Sequence, residues 1–159
     1  MLVVGCVHGD ECAALPVVSA LARADAREDL WLVPTLNPDG RAHGTRGNAH
    51  GVDLNRSFPS GLEPETRAAV ALIRRVRPAV TVWFHQHQNL VRAWGSSVPS
   101  ARRYARRAGM RFAALRWPPG AATRWQNERL HETSFVVELP AGRLSPGGVR
   151  RHVRAVLGL

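Results

Sequence analysis

No apolar run in this 159-residue sequence approaches the roughly 18 residues that a membrane-spanning helix needs, so no membrane span is expected. No basic segment precedes the short apolar stretch at its start, which excludes a secretory leader in the chain as written. A cytoplasmic protein follows, on the condition that Met1 is the true start. Cysteine is scarce: Cys6 and Cys12 are too few for a disulfide framework and lack the spacing of a metal knuckle. In a reducing compartment they are expected as small buried side chains. Lysine is missing altogether, and all 22 basic residues are arginine, which with abundant Ala, Gly, Pro and Val reads as compositional bias. No nucleic-acid-binding motif accompanies the formal charge of +10. The charge is therefore assigned to solvated arginine-rich faces, such as Arg102, Arg103, Arg106 and Arg107, with no specific nucleic-acid partner. Repeats, low-complexity tracts and interdomain linkers are also absent, which leaves a single domain over residues 1–159.

What is present is an alternation of apolar runs and helical patterns. Residues 2–7 form a short continuous apolar run, expected as a buried strand, followed by a helical pattern over 11–26. Residues 30–36 are the next strand candidate, closed by the turn signal Asn37-Pro38-Asp39-Gly40. From there to Pro59 the chain is rich in Gly, Asn, His and Arg with little periodicity, and a loop of that length in a compact domain is usually functional or disordered. Helices are expected over 65–76, 99–108 and 147–157, strands over 80–84, 110–115 and 135–139, and a loop over 117–126. Strands alternating with helices give an α/β fold, a mostly parallel sheet covered on both faces.

In such a sheet, ligands bind beyond the carboxyl ends of the strands. His8 and Glu11 follow the first strand, Asn37 the second, His85 ends the third, and Glu138 lies near the end of a late one. A His and a Glu three residues apart on a strand-to-helix turn can reach one ion. A second histidine from a neighbouring strand completes a His₂Glu set with a position left for water. His85 and His87 point to the same side of a regular strand, so period two does not separate them; the place of His85 directly after Trp83-Phe84 favours it. His43, His50 and His131 sit in polar loops and are expected to face solvent, while Asp39 and Asp53 read as turn and loop hydrogen-bonding residues. Trp94, Trp117 and Trp125 are candidates to line a substrate pocket, although simple packing is the commoner role of tryptophan.

The stretch Asn37-Pro38-Asp39-Gly40, then Arg46, Asn48 and Gly51-Val52-Asp53-Leu54-Asn55-Arg56-Ser57-Phe58-Pro59, resembles the zinc metallocarboxypeptidase (funnelin) family. His8-Gly9-Asp10-Glu11, Glu63-Pro64-Glu65-Thr66-Arg67, Trp83-Phe84-His85-Gln86 and Ser134-Phe135-Val136-Val137-Glu138-Leu139-Pro140 resemble further segments of that family, in its order. Small bacterial members similar to murein peptide amidases are nearest in style. The resemblance implies one zinc ion on His8, Glu11 and His85, with Glu138 as general base. It also implies that Arg46 steadies the oxyanion, and that Asn55 and Arg56 grip the carboxylate of the released residue. Cleavage of a peptide or amide bond in a small peptide or cell-wall peptide follows, with a γ-D-glutamyl–diaminopimelate bond as the specific expectation. Alternatives are a zinc-dependent N-acyl amino acid deacylase of the succinylglutamate desuccinylase/aspartoacylase type and a peptide-binding pseudoenzyme. Members of the family carry chain ahead of the first strand found here, so the resemblance implies an N-terminally shortened form or an upstream start. Digestive-type relatives place a tyrosine shortly before the catalytic glutamate; the one tyrosine here is Tyr104, in a basic helical segment, which favours the amidase-like branch.

Overall fold

A computed structural model of the chain describes residues 1–24 and 30–159. Its strands are β1 (Leu2–Val4), β2 (Trp31–Val33), β3 (Val80–Ala93), β4 (Arg111–Ala114) and β5 (Thr133–Pro140), joined in one sheet. Around them lie α1 (Leu15–Arg23), α2 (Pro38–His43), α3 (Pro64–Val76), α4 (Val98–Ala108), α5 (Ala122–Trp125) and α6 (Pro146–Leu157). The mostly parallel sheet flanked by helices is thus the observed architecture. Among the described residues, no helix is long and apolar enough to cross a membrane.

β1 pairs in parallel with β2 on one edge and with β3 on the other. β3 then runs alongside β5 in register, from Val80 opposite Thr133 to His85 opposite Glu138. Beyond His85 the strand changes direction through Asn89, whose φ of 51° is a left-handed conformation that asparagine tolerates better than most residues. Leu90, Val91 and Arg92 face Glu138, Val137 and Val136 in descending order. This second arm of β3 therefore runs back along the remaining edge of β5, and it pairs with β4 on its own far side. The mixed character of the sheet comes from this reversal.

Side chains alternate across the sheet and build two cores. Val3, Val82, Phe84, Val91, Ala93, Phe135 and Val137 face α1, α4 and α6. Leu2, Val4, Trp83 and Val136 face α3, α5 and the 3₁₀ turn at Leu54–Arg56. α4 buries Ala101, Tyr104, Ala105 and Ala108, one helical stripe, and leaves Arg102, Arg103, Arg106 and Arg107 exposed as expected.

Several boundaries differ from the sequence-based expectation for local reasons. The expected turn at Asn37 is a helix start instead: its Oδ1 accepts from the Gly40 amide at 2.8 Å, and Pro38 occupies the first turn of α2. The helix expected from residue 11 begins at Leu15, because residues 8–11 close a tight turn first; its expected end at residue 26 lies outside the described residues. The loop expected over 117–126 contains α5. The first strand ends at Val4, since Cys6 has a φ of 44°. That bend, followed by the 8–11 turn, brings Cys12 back until the Cα atoms of Cys6 and Cys12 lie 4.7 Å apart, joined by a disulfide. The expectation of two separate thiols is corrected accordingly.

Candidate active site

His8 and Glu11 sit on the turn that leaves β1, closed by the Glu11 amide donating to the His8 carbonyl at 3.1 Å. A glycine is required inside it: a Cβ on Gly9 would fall within the Gly40 carbonyl group, so any other residue would push the turn off the start of α2. His85 arrives from β3 beside it. Glu11 bridges the two histidines, Oε1 lying 3.0 Å from His8 Nδ1 and Oε2 2.9 Å from His85 Nδ1. The two Nδ1 atoms are themselves 3.2 Å apart. Tetrahedral zinc at about 2.0–2.1 Å separates its ligand atoms by about 3.3 Å, so the spacing suits a shared cation. One donor atom from each residue falls within 4.8 Å of the others. The fit of the three to a metal is therefore chemical as well as geometric: two imidazole nitrogens and one carboxylate, all turned toward one point. His87, by contrast, is exposed, because the strand loses its regular alternation after His85.

A second layer fixes these rings. Asp53 Oδ1 lies 3.0 Å from His8 Nε2, and its Oδ2 accepts from Arg46 Nη2 at 3.0 Å. The Gln86 amide donates to Glu11 Oε2 at 3.1 Å, and Gln86 Oε1 accepts from the Ala13 amide at 2.9 Å, which ties β3 to the chain entering α1. Such outer partners orient metal-ligating groups. Burial opposes ionisation of Glu11, yet its hydrogen bonds to His8 and His85 hold the carboxyl far below its ordinary range. Asp53 is held low in the same way, its burial outweighed by His8 and Arg46. Burial also works against protonation of His8, but Asp53 and Glu11 outweigh it and its pKa is raised. His85, more deeply buried, is pushed down by that burial despite Glu11.

Glu138 stands across from His85 on β5, with 3% of its surface exposed. Its Oε2 is buried without a hydrogen-bond partner. Burial first, and the charge of Glu11 second, raise its pKa to about 7, the region where a carboxylate can both take and return a proton near neutrality. With His8, Glu11 and His85 it lines a cavity of about 260 Å³, together with Arg46, Asn55, Arg56, Gln86, Gln88, Arg92, Trp117 and Pro118. That volume is just under the roughly 300 Å³ of small drug-sized sites, room for one residue-sized group. A larger apolar cavity of about 480 Å³ lies between β1, β2 and α3, lined by Val4, Leu36 and Leu72 among others. It contains none of the convergent donors, so the smaller cavity is the chemical one.

The remaining expected site residues reach this cavity with different commitments. Arg46 is half exposed and turns its donors to Glu11 Oε1 at 3.0 Å and to Asp53. Asn55 is buried; its Oδ1 accepts from the Ala122 amide at 3.1 Å, and its Nδ2 lies 3.5 Å from His85 Nε2. Arg56 is exposed, with Nη1 donating to the Asn55 carbonyl at 2.9 Å. Gly120, at φ 81°, lets the loop before α5 press on the Arg56 backbone where a Cβ would collide. Sequence reasoning passed over Asp53, Gln86 and Arg92 as site residues, whereas Trp117, one of three tryptophans weighed for a pocket, does line the cavity. Asp53 does cap its own turn, accepting from the Asn55 amide at 2.9 Å, but it supports His8 as well. Arg92 could have been flagged as a lone charge within the apolar run 90–93. His43, His50 and His131 are exposed as expected, and Trp125 packs in the core, whereas Trp94 is half exposed.

Residues 1–93 match the family described as the succinylglutamate desuccinylase/aspartoacylase catalytic domain. Murein peptide amidase A of Escherichia coli (strain K12) is 33% identical over 115 residues, covering 53% of this chain and 48% of that protein. The chain thus spans about half the length of the curated amidases it matches. Among solved structures, murein-tripeptide amidase MpaA from Escherichia coli O157 superposes with a TM-score of 0.83 at 26% identity, covering 99% of this chain and 79% of that one. A metallo-carboxypeptidase from Burkholderia cenocepacia gives a TM-score of 0.78 at 18% identity, covering 98% and 54%, a likeness of fold.

Proposed function

Since this chain belongs to the succinylglutamate desuccinylase/aspartoacylase catalytic-domain family, we propose that it is a zinc-dependent hydrolase that cleaves a peptide or amide bond next to a carboxylate-bearing residue. The observation that carries the reading is the convergence of His8, Glu11 and His85 on one point, beside the unpaired Oε2 of Glu138, in one residue-sized cavity. His8, Glu11 and His85 hold the ion. Zinc bound there supplies Lewis acidity, which lowers the pKa of water to about 7 and polarises a carbonyl. Glu138 takes a proton from the attacking water at its unpaired Oε2 and hands it to the leaving nitrogen. Arg46 lies at the mouth beside Glu11, where its guanidinium stabilises charge developing on the carbonyl oxygen. Asn55 Nδ2 and the fork of Arg56 hold the released residue's carboxylate.

For substrate we favour short murein peptides, with the γ-D-glutamyl–diaminopimelate amide as the bond cut, in keeping with the amidases named above. The second reading is an N-acyl amino acid deacylase, favoured by the family description that spans residues 1–93. Zinc-loaded protein incubated with wall tripeptides and with N-acyl amino acids separates the two. Turnover of the peptides is expected. Turnover of the acyl amino acids alone would move the chain to the deacylase reading, and bound zinc with no turnover of either set would leave a peptide-binding pseudoenzyme. We place the reaction in the cytoplasm, which the Cys6–Cys12 disulfide opposes, because cytosolic thiols are kept reduced. Two free thiols on protein alkylated directly in lysate support the placement, and none overturns it.

A further inference from the structure

Arg92 occupies the second arm of β3, between Val91 and Ala93, whose side chains belong to the core on the opposite face. Alternation therefore aims Arg92 at the site face, where it lines the same cavity as His85, Glu138 and Arg56. Its guanidinium carbon lies 3.8 Å from the centre of the Trp117 ring, and Trp117 is stacked in turn on His85 at 6.3 Å. Stacking engages the flat face of the guanidinium and leaves its in-plane N–H donors available. Among the described residues, the Arg92 side chain makes no hydrogen bond and no ion pair, and its Nε is buried without a partner. A buried donor of this kind is unfavourable unless something arrives to accept from it.

We propose that Arg92 is the specificity-determining residue of this cavity and selects a released residue that carries a second carboxylate. The inference rests on the hydrolase reading for the position of the first carboxylate, at Asn55 and Arg56. It adds that a dicarboxylic residue fills the cavity with one anionic group on Arg56 and the other on the planar fork of Arg92. A residue with a neutral side chain leaves that fork unpaired and is discriminated against. The competing role for Arg92 is that of a counter-charge to Glu138, the carboxylate whose charge acts on it. The two roles differ in what they alter: a counter-charge acts on every substrate through Glu138, whereas a specificity determinant acts on acidic substrates alone.

Calorimetric titration of zinc-loaded protein with glutamate and with glutamine reads the selectivity without requiring turnover. The wild type should bind glutamate more tightly by on the order of 100-fold, the scale of a charge pair removed from water. Arg92→Gln should reduce the ratio to within a few-fold, and Arg92→Lys, which keeps the charge without the fork, should fall between. Equal or absent binding of the two ligands by the wild type overturns the proposal, as does an unchanged ratio in Arg92→Gln. Because the wild-type ratio decides first, a poorly folding variant does not shelter the idea. On substrates that release an acidic or a neutral residue, Arg92→Gln should raise KM for the acidic one and leave kcat within a few-fold. An equal fall in kcat on both would make Arg92 the counter-charge of Glu138 and overturn the proposal. Failure to turn over any substrate would defeat the hydrolase reading, while the binding ratio would still decide the role of Arg92.

Discussion

Two buried polar groups on opposite faces of the sheet, the Tyr104–His152 pair and the cavity around Glu138, make a contrast. On the face covered by α1, α4 and α6, His152 is buried beside Phe84 and Tyr104, and its Nδ1 lies 2.7 Å from the Tyr104 hydroxyl. Burial keeps that hydroxyl protonated, so it donates, and burial together with Arg151 lowers the His152 pKa to about 4, so the ring is neutral and accepts. The pair is closed and needs nothing further. On the other face, Arg92 Nε, Trp117 Nε1, Thr123 Oγ1 and Glu138 Oε2 are buried without partners among the described residues, and three of these four residues line one cavity. Native folds leave few such atoms, so their concentration marks this cavity as a place able to receive polar groups. One face uses burial to stabilise; the other holds polar capacity in reserve for chemistry.

The largest effect should come from removing the reserve at its reactive atom. Glu138→Gln keeps the shape and removes the base, so kcat should fall by on the order of 1,000-fold with bound zinc unchanged. Metal emission analysis beside steady-state rates checks this, and loss of zinc in the variant would make Glu138 a ligand instead of a base. Next in size is the ligand set itself. His85→Ala should lose most of the zinc at micromolar protein, since two donors remain, whereas exposed His87→Ala should retain it. Retention in the first and loss in the second would exchange the two residues and break the contrast between a convergent site and an exposed strand end.

How much of this could be read beforehand differs by kind of interaction. Alternating apolar runs were enough for the order of the strands and the longer helices, because period two and period 3.6 are properties of neighbouring residues, but the short α2 and α5 escaped them. His8, Glu11, His85 and Glu138 were found by their places at strand ends and by resemblance, and the structure brings them to one cavity. The reversal of β3 was not legible: its cause is the left-handed backbone at Asn89 and the pairing of both arms with β5, a contact made across some 45 residues. Arg92 was missed with it, since its place in the site depends on that reversal. The Cys6–Cys12 disulfide was missed because spacing alone does not say that Cys6 has a φ of 44° and folds Cys12 back. Asp53 shows a third case, a residue whose turn-capping role was read correctly and concealed a second one toward His8.

The smaller effects set the two faces against each other through pH, with opposite signs. His152 has its pKa lowered from an ordinary 6.5 to about 4. The unfolded chain therefore takes up its proton first, and the contribution to stability is complete above 6.5 and is lost as pH falls toward 4. Glu138 has its pKa raised from 4.5 to about 7 in the metal-free protein, so its burial is best tolerated below 4.5 and destabilises as pH rises through 7. Each shift corresponds to about 3 kcal/mol at most. Urea unfolding of metal-free protein at pH 4.5, 6 and 7.5 resolves them. His152→Gln should flatten the acid limb of the parent, and Glu138→Gln should gain stability relative to the parent between pH 6 and 7.5, because an uncharged side chain then occupies the site. If Glu138→Gln lost stability there instead, the carboxylate would be satisfied in the folded protein, and the division between a closed face and a reserved one would fail at its most important atom.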